Sequence, residues 1–180
     1  MQPENDYVLR LETKRLELHN ISEHHRLWFF ELLSNPDLLR YVCDVPSPEQ
    51  INSQFLSRLK PWSLNSEHWL TLSVFEKTSG NFVGINGFKH FNGCASVGFI
   101  FMPQYHGLGY ATESLNSVCE LARSLGIGEL EASITKGNIA SEKVVQKCGF
   151  VFSSESLDIV KIGGKSLNDV QYKKVLNQNT

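Results

Sequence analysis

From Gln104 to Ala111 the chain reads Gln-Tyr-His-Gly-Leu-Gly-Tyr-Ala, with Gly107 and Gly109 directly after an apolar run and directly before a helical pattern. Small residues here let successive backbone N–H groups point at a ligand unobstructed, and the helix start adds about half a positive charge. That chemistry suits a pyrophosphate; the plainer reading is a strand-to-helix turn that uses glycine for its positive φ. Further along, Asn138 and Ser141 open a second helical pattern. There an amide and a hydroxyl either cap the free N–H groups of the helix or reach a bound molecule. For proton transfer the candidates are Glu76, His68, His90 and His106, histidine being suited to exchange near neutral pH.

These residues need a scaffold, and the hydrophobic periodicity supplies one. Residues 7–18 read as a strand interrupted by Thr13-Lys14-Arg15. A helix over 24–33 carries Leu27, Trp28 and Leu32 and is stopped by Asn35-Pro36. A short helix starts near Asp37, and a third begins at Pro48 with Ile51, Phe55 and Leu59 on one face, ending at Pro61. Strands over 68–76, 82–91 and 95–102 follow, separated by the turn signals Lys77-Thr78-Ser79-Gly80-Asn81 and Asn92-Gly93. Beyond the glycine loop, Ala111, Leu115, Val118, Cys119, Ala122 and Leu125 recur at helical spacing up to Gly126. Leu130, Ala132 and Ile134 alternate as a strand, Asn138 to Gly149 is helical, and Gly163-Gly164 centres a final hairpin. The result is a mixed α/β domain with one mostly antiparallel sheet, whose single strand–helix–strand crossover joins parallel neighbours.

A dinucleotide-binding loop is a rival for the glycine stretch, since Glu129 or Glu131 stands where a ribose-binding acid would be expected. Its third small position, however, is Thr112, and hairpins rather than βαβ units precede it. No Gly-Lys-Ser/Thr follows, which excludes a phosphate-binding kinase loop. Gln104-x-x-Gly107-x-Gly109 instead resembles the acyl-CoA pyrophosphate loop of the GNAT superfamily of N-acetyltransferases. The stretch from Tyr105 to Glu113 resembles the RimJ/RimL branch, which acetylates ribosomal-protein N-termini. So do Leu11-x-Thr13-x-Arg15-Leu16-x-Leu18, Ser34-Asn35-Pro36-Asp37 and Asn138-x-x-Ser141-x-x-Val144-x-x-Lys147-x-Gly149-Phe150, in the branch's order and across nearly the whole chain.

The resemblance implies a GNAT fold: six or seven strands flanked by helices, splayed around an acyl-CoA site, in a single domain over 1–180 with its motif-bearing core at about 11–176. Backbone groups of Phe101 and Met102 would pair with the pantetheine amides of acetyl-CoA. Gln104 and the amides of His106, Gly107, Leu108, Gly109, Tyr110 and Ala111 would hold the pyrophosphate, Asn138 would reach the arm, and Ser141 would sit near the sulfur. The implied reaction is direct attack of a primary amine, a protein N-terminal α-amine among the candidates, on the thioester. It needs a base or water path, an oxyanion donor in the Phe101–Met102 backbone, and an acid for the thiolate. Many such proteins place a tyrosine acid in the second motif and a glutamate on the central strand; here Val145 and Ser96 take those places. Ser141 is then the replacement acid, and Asn138 its companion. Without the usual acid and base, an acyl-CoA-binding module with little catalysis is the alternative. Glu113 reads as a first-turn acid favourable to the helix dipole, and Thr13 and Arg15 as structural contacts. The acceptor would lie between the early helices and the Gly163-Gly164 hairpin, with Tyr41, Trp28, Trp62 and Trp69 available to line the cleft.

With 41% hydrophobic and 20% charged residues in 180, the chain has the makings of one full core. A net charge of −2 and a pI near 6.3 offer no electrostatic reason to expect nucleic acid or an anionic membrane as partner. No apolar run approaches the roughly 18 residues of a membrane span, and the polar start Met1–Asp6 does not read as a secretory signal. Cys43, Cys94, Cys119 and Cys148 lie far apart with no metal-ligand spacing, so no metal is expected and buried free thiols in the cytoplasm are. A monomer or a homodimer is compatible with the sequence.

Overall fold

The computed structural model describes residues 9–176; Tyr7, Val8 and the polar N-terminal segment lie outside the described residues. The opening segment forms two strands, β1 (Arg10–Glu12) and β2 (Leu16–Asn20), paired antiparallel. Thr13 makes the break. Its N–H donates to Leu16 O and its Oγ1 accepts from Leu16 N, both at 2.9 Å, and these bonds close a tight turn. This division is one reason the sheet has eight strands among the described residues rather than six or seven.

Three helices follow on one face. Helix α1 (Arg26–Ser34) ends at Asn35, whose side chain accepts from the Asp37 and Leu38 amides and so starts the single turn α2 (Pro36–Leu39). Helix α3 (Pro48–Arg58) opens with a capping box: Gln50 N donates to Ser47 Oγ at 3.3 Å, and Ser47 N to Gln50 Oε1 at 2.8 Å. Pro48 fills the first helical position, where no N–H is needed.

The strands β3 (Leu70–Glu76), β4 (Phe82–Phe91) and β5 (Cys94–Phe101) form an antiparallel meander. The chain then crosses through helix α4 (Tyr110–Ser124) to β6 (Glu129–Thr135), which pairs with β5 in parallel, as the crossover predicts. Helix α5 (Ile139–Lys147) leads into the long hairpin of β7 (Val151–Ile162) and β8 (Lys165–Val175). The sheet order is β1-β2-β3-β4-β5-β6-β8-β7, so the last strand inserts between β6 and β7.

Period-two alternation divides the strand side chains between two cores. Leu72, Phe88 and Leu130 pack with Leu115, Val118 and Cys119 of α4. Ile85 and Met102 pack on the other face with Phe29, Leu32, Ile51 and Phe55 of α1 and α3. His25 pins the entry to α1: its Nδ1 accepts from Ser22 N at 3.2 Å and from the Ser73 hydroxyl at 2.8 Å. Burial pushes that ring's pKa down to about 4, so it is neutral. Cys119 and Cys148 are buried, whereas Cys43 and Cys94 are only half-buried; all four are free thiols. No helix among the described residues is long and apolar enough to cross a membrane.

Candidate active site

Strands β5 and β6 pair only at Cys94–Glu129, Ala95–Leu130 and Ser96–Glu131, and beyond that they part. The register on either side decides which backbone groups the parting leaves over. Met102 N donates to Val83 O at 2.9 Å, so Met102 faces β4. By antiparallel alternation the N–H and C=O of Phe99 and Phe101 turn the other way, into the gap. Lys136 N donates to Asn168 O at 2.9 Å, which by the same rule turns the backbone groups of Ser133 and Thr135 toward the gap from β6. A cavity of about 300 Å³ occupies this region, lined among others by Gly98, Ile100, Ser133, Thr135, Asn138 and Ser141.

The glycine loop lies at the end of the parted β5. After a 3₁₀ turn at Pro103–Tyr105, Gly107 and Gly109 take φ of +77° and +81°. A Cβ built at Gly107 would meet nothing within 4 Å, and one at Gly109 only Arg15 Nη2 at 3.5 Å. The glycines are therefore demanded by backbone conformation and not by protein packing, which leaves the outer side of the loop open. The first internal bond of α4 runs from Glu113 N to Gly109 O at 3.0 Å. The amides of Tyr110, Ala111 and Thr112 thus stand outside the helical ladder at its positive end.

Residues far away in sequence fix this helix start. Glu113 accepts from Thr13 Oγ1 at 2.6 Å, Arg15 N at 2.7 Å and Arg15 Nε at 2.7 Å. Arg15 also donates from Nη1 to Leu108 O at 2.9 Å, and its guanidinium lies 4.4 Å from the Tyr110 ring centroid. Tyr110 in turn donates its hydroxyl to Glu76. One turn on, the buried Ser114 Oγ accepts from Asn86 Nδ2 of β4 at 2.8 Å. Glu113 is thus the joint between the loop and the Thr13-Lys14-Arg15 turn, more than the dipole partner expected of a first-turn acid.

The structure brings some of the expected site residues together and separates others. Asn138 Oδ1 accepts from Ser141 N at 3.3 Å, capping α5, and both residues line the cavity. Phe101 offers its backbone to the gap, its carbonyl already accepting from His106 Nε2 at 2.8 Å. Met102 does not: its N–H is taken by Val83 O and its carbonyl by Tyr105 N at 3.0 Å, because register turns it toward β4. Gln104, His106, Gly107, Leu108 and Gly109 are exposed, while Tyr110 is buried and Ala111 half-buried against the core. Val145 is fully buried in the core, so a side chain at that position would not face the cavity.

The proton-transfer candidates all have other partners. His90 Nδ1 donates to Leu64 O at 2.7 Å and its Nε2 accepts from Gly93 N at 3.2 Å, while His68 bonds Lys60 O at 3.3 Å. Hydrogen bonds from Ser79 and Tyr110 hold the Glu76 carboxyl below its ordinary value. Among the described residues, the carboxylate that lines the cavity is Asp169, which the sequence reading passed over. It is 7% exposed and accepts from Ser133 Oγ at 2.6 Å and Thr135 Oγ1 at 3.0 Å. Its signal was an acid on a strand, one residue before Val170. Of the expected aromatics, Tyr41 and Trp69 line the cavity. Trp28 instead stacks on Phe82, and Trp62 packs edge-on against Phe88. Gly163 N donates to Asp44 Oδ1 at 2.6 Å, so the hairpin tip touches the segment after α2.

A mostly antiparallel sheet parted beside a glycine loop and a helix start is the architecture of an acetyl-transferring enzyme. Residues 15–151 match the family model described as acetyltransferase (GNAT) domain, and the chain belongs to that family. An uncharacterized N-acetyltransferase of Bacillus subtilis, YoaA, is 26% identical over 148 residues, covering 78% of this chain and 81% of that one. Among solved structures, the ribosomal-protein-S5-alanine acetyltransferase of Vibrio fischeri superposes with a TM-score of 0.81 at 15% identity, over 96% of this chain and 100% of that one. RimL, the ribosomal L7/L12 α-N-protein acetyltransferase solved with coenzyme A, gives 0.79 at 17% identity over 95% and 100%. The spermidine N-acetyltransferase of Vibrio cholerae, solved with CoA and spermine, gives 0.79 at 14% identity over 91% and 96%.

The Glu113 joint yields a prediction with a definite pH window. Burial would raise this carboxyl, but the hydrogen bonds from Thr13 and Arg15 and the Arg15 charge outweigh it and hold the pKa below its ordinary 4.5. A depressed carboxylate contributes its full stability above the unfolded value and loses it as pH falls through the folded one. Glu113→Gln is expected to cost about 1.5–3 kcal/mol at pH 7 in urea unfolding. That gap between wild type and variant should shrink as the pH drops below 4.5. A gap unchanged down to about pH 3 would contradict the assignment.

Proposed function

We propose that this chain is an acetyl-CoA-dependent N-acetyltransferase in which the gap between β5 and β6 takes the pantetheine arm and the loop from Gln104 to Ala111 takes the pyrophosphate. The observation that carries the reading is the adjacency of two features. Backbone edges at Phe99, Phe101, Ser133 and Thr135 face one gap, and that gap ends at a positive-φ glycine loop opening a helix. The Phe101 and Thr135 carbonyls are taken by His106 Nε2 at 2.8 Å and Asn138 N at 3.0 Å, but the N–H groups along both strand edges are left to a ligand with alternating amide groups, and leftover helix amides call for an anion. Pantetheine and pyrophosphate have those properties in that order.

When bound, acetyl-CoA supplies the thioester whose C–S bond breaks as the acceptor nitrogen bonds to the acetyl carbon. The protein's part is to hold and polarise. The Phe101 N–H, turned into the gap, is suited to an oxyanion; Met102, spent on Val83, is withdrawn from that role. In this reading Ser141, which lines the cavity and is capped by Asn138 at the start of α5, donates its hydroxyl proton to the leaving sulfur and recovers one from water. Asp169, which lines the same cavity, takes up the proton shed by the amine in this reading, directly or through water.

The acceptor is a primary amine. A protein N-terminal α-amine, the substrate class of the RimJ/RimL branch, fits the ordered motifs from Leu11 to Phe150. The acetyltransferase domain occupies the chain as a single unit over 1–180, uses no metal, and acts in the cytoplasm as a monomer or homodimer. An acyl-CoA-binding module without turnover remains the reading to exclude by experiment.

Two substitutions test the proposal. Gly109→Val places a β-branched residue at φ +81° in front of the helix amides. CoA affinity by calorimetry is expected to fall at least about tenfold, equivalent to 1.4 kcal/mol; unchanged affinity would remove the loop from the site. Ser141→Ala should lower turnover in a thiol-release assay by roughly 10²-fold with little change in CoA affinity. An unaltered rate would leave Ser141 as a wall of the cavity and nothing more.

A further inference from the structure

Arg58, the last residue of α3, carries a cation into this site with no acid among the described residues to meet it. Its Nη1 donates to the buried Thr71 Oγ1 at 2.8 Å, and its guanidinium lies 5.3 Å from the Trp69 ring centroid and 6.0 Å from that of Phe29. No described carboxylate forms an ion pair with it, and burial alone pushes its pKa down to about 10. A half-buried cation without a partner charge is held at some cost, and a planar guanidinium with free N–H groups is shaped for an oxyanion. Its position is informative too. Arg58 and Trp69 line both the cavity in the parted sheet and an outer cleft of about 350 Å³ formed with Ser53, Gln54 and Ser57. The guanidinium therefore stands where the two spaces meet, on the α1–α3 side, where the acceptor is proposed to enter.

Trp69 helps to set this position. Gly98 faces the indole so closely that an added Cβ would lie 3.0 Å from it, so glycine there leaves room for the ring against which Arg58 is held. Asp169, already satisfied by Ser133 and Thr135, lines the same cavity without pairing to Arg58. The cavity thus keeps a cation and an anion apart on its walls.

Resting on the transferase reading above, we propose that Arg58 selects acceptor amines whose own molecule carries a carboxylate, which its guanidinium binds while the amine reaches the thioester. Two sources supply that chemistry: the α-carboxylate of a free amino acid, or an acidic side chain close behind a protein N-terminus. A polyamine or a neutral alkylamine lacks it.

Matched acceptors separate these cases in a thiol-release assay with acetyl-CoA. L-Leucine is compared with isopentylamine, and the amidated peptide Ser-Glu-Ala with Ser-Gln-Ala. In wild type, the acidic member of at least one pair is expected to show tenfold or higher kcat/KM. Preference in the first pair identifies a free amino acid, and in the second a protein N-terminus. Arg58→Gln should bring that ratio to within twofold while CoA affinity stays unchanged, and Arg58→Lys should retain part of it. Near-UV circular dichroism of both variants reports that the fold is intact. Calorimetric binding of N-acetyl-L-leucine and of acetylated Ser-Glu-Ala amide to the CoA complex gives a readout independent of turnover. At least one should bind wild type ten or more times better than Arg58→Gln. Equal rates within both pairs, or product binding indifferent to Arg58, would overturn the proposal and leave the transferase reading standing. Absence of CoA binding would instead defeat that reading, and this one with it.

Discussion

Everything in the site follows from the short pairing of β5 with β6. Three residue pairs hold them together, and then each strand continues with a partner on its outer side only. β4 keeps β5 in register as far as Phe101, and β8 keeps β6 as far as Thr135. Neither strand can swing across to close the gap without losing an outer ladder, and so the inward-facing N–H groups stay turned into it, while His106 and Asn138 take the Phe101 and Thr135 carbonyls. Free edges of this kind are usually covered or blunted. Here they face each other across a ligand-sized space, an arrangement stable in the free protein only with water on those groups.

The second constraint lies at the far end of the gap. A loop with two positive-φ glycines has little conformation of its own to defend, and its shape is imposed from outside. Arg15 grips the loop by Leu108 O and the helix by Glu113, and stacks over Tyr110 between them. Asn86 and Ser114 lock the following turn of α4 to β4. The phosphate-side geometry is thereby tied to both the first strands and the centre of the sheet, so a displacement of the loop would have to drag several well-bonded elements with it.

How much of this could be read from the residues alone follows from which forces are local. The helix starts at Pro48 and Asn138, the turns at Gly80 and Gly93, and the glycine loop itself are set by neighbouring residues, and they stand where periodicity and capping placed them. Ladder parity is different. Whether Phe101 or Met102 faces the gap depends on pairing with Val83 and Gly84, a one-residue register that no local pattern discloses. Glu113 reads locally as a first-turn acid, and it is one, but its bonds reach Thr13 and Arg15 about a hundred residues away. Asp169 and Arg58 carry no local signal of a site in the sequence; only tertiary packing puts them on the walls of one cavity.

The central claim is that pantetheine and pyrophosphate occupy the parted sheet and the glycine loop. Residue-resolved amide hydrogen exchange, with and without acetyl-CoA, tests it most directly. The account predicts slowed exchange at Phe99, Phe101, Ser133 and Thr135 and across Gly107 to Thr112, with Met102 unchanged because Val83 already holds its proton. Protection confined to other surfaces, or no change at the Phe99, Phe101 and loop amides at saturating acetyl-CoA, would contradict it.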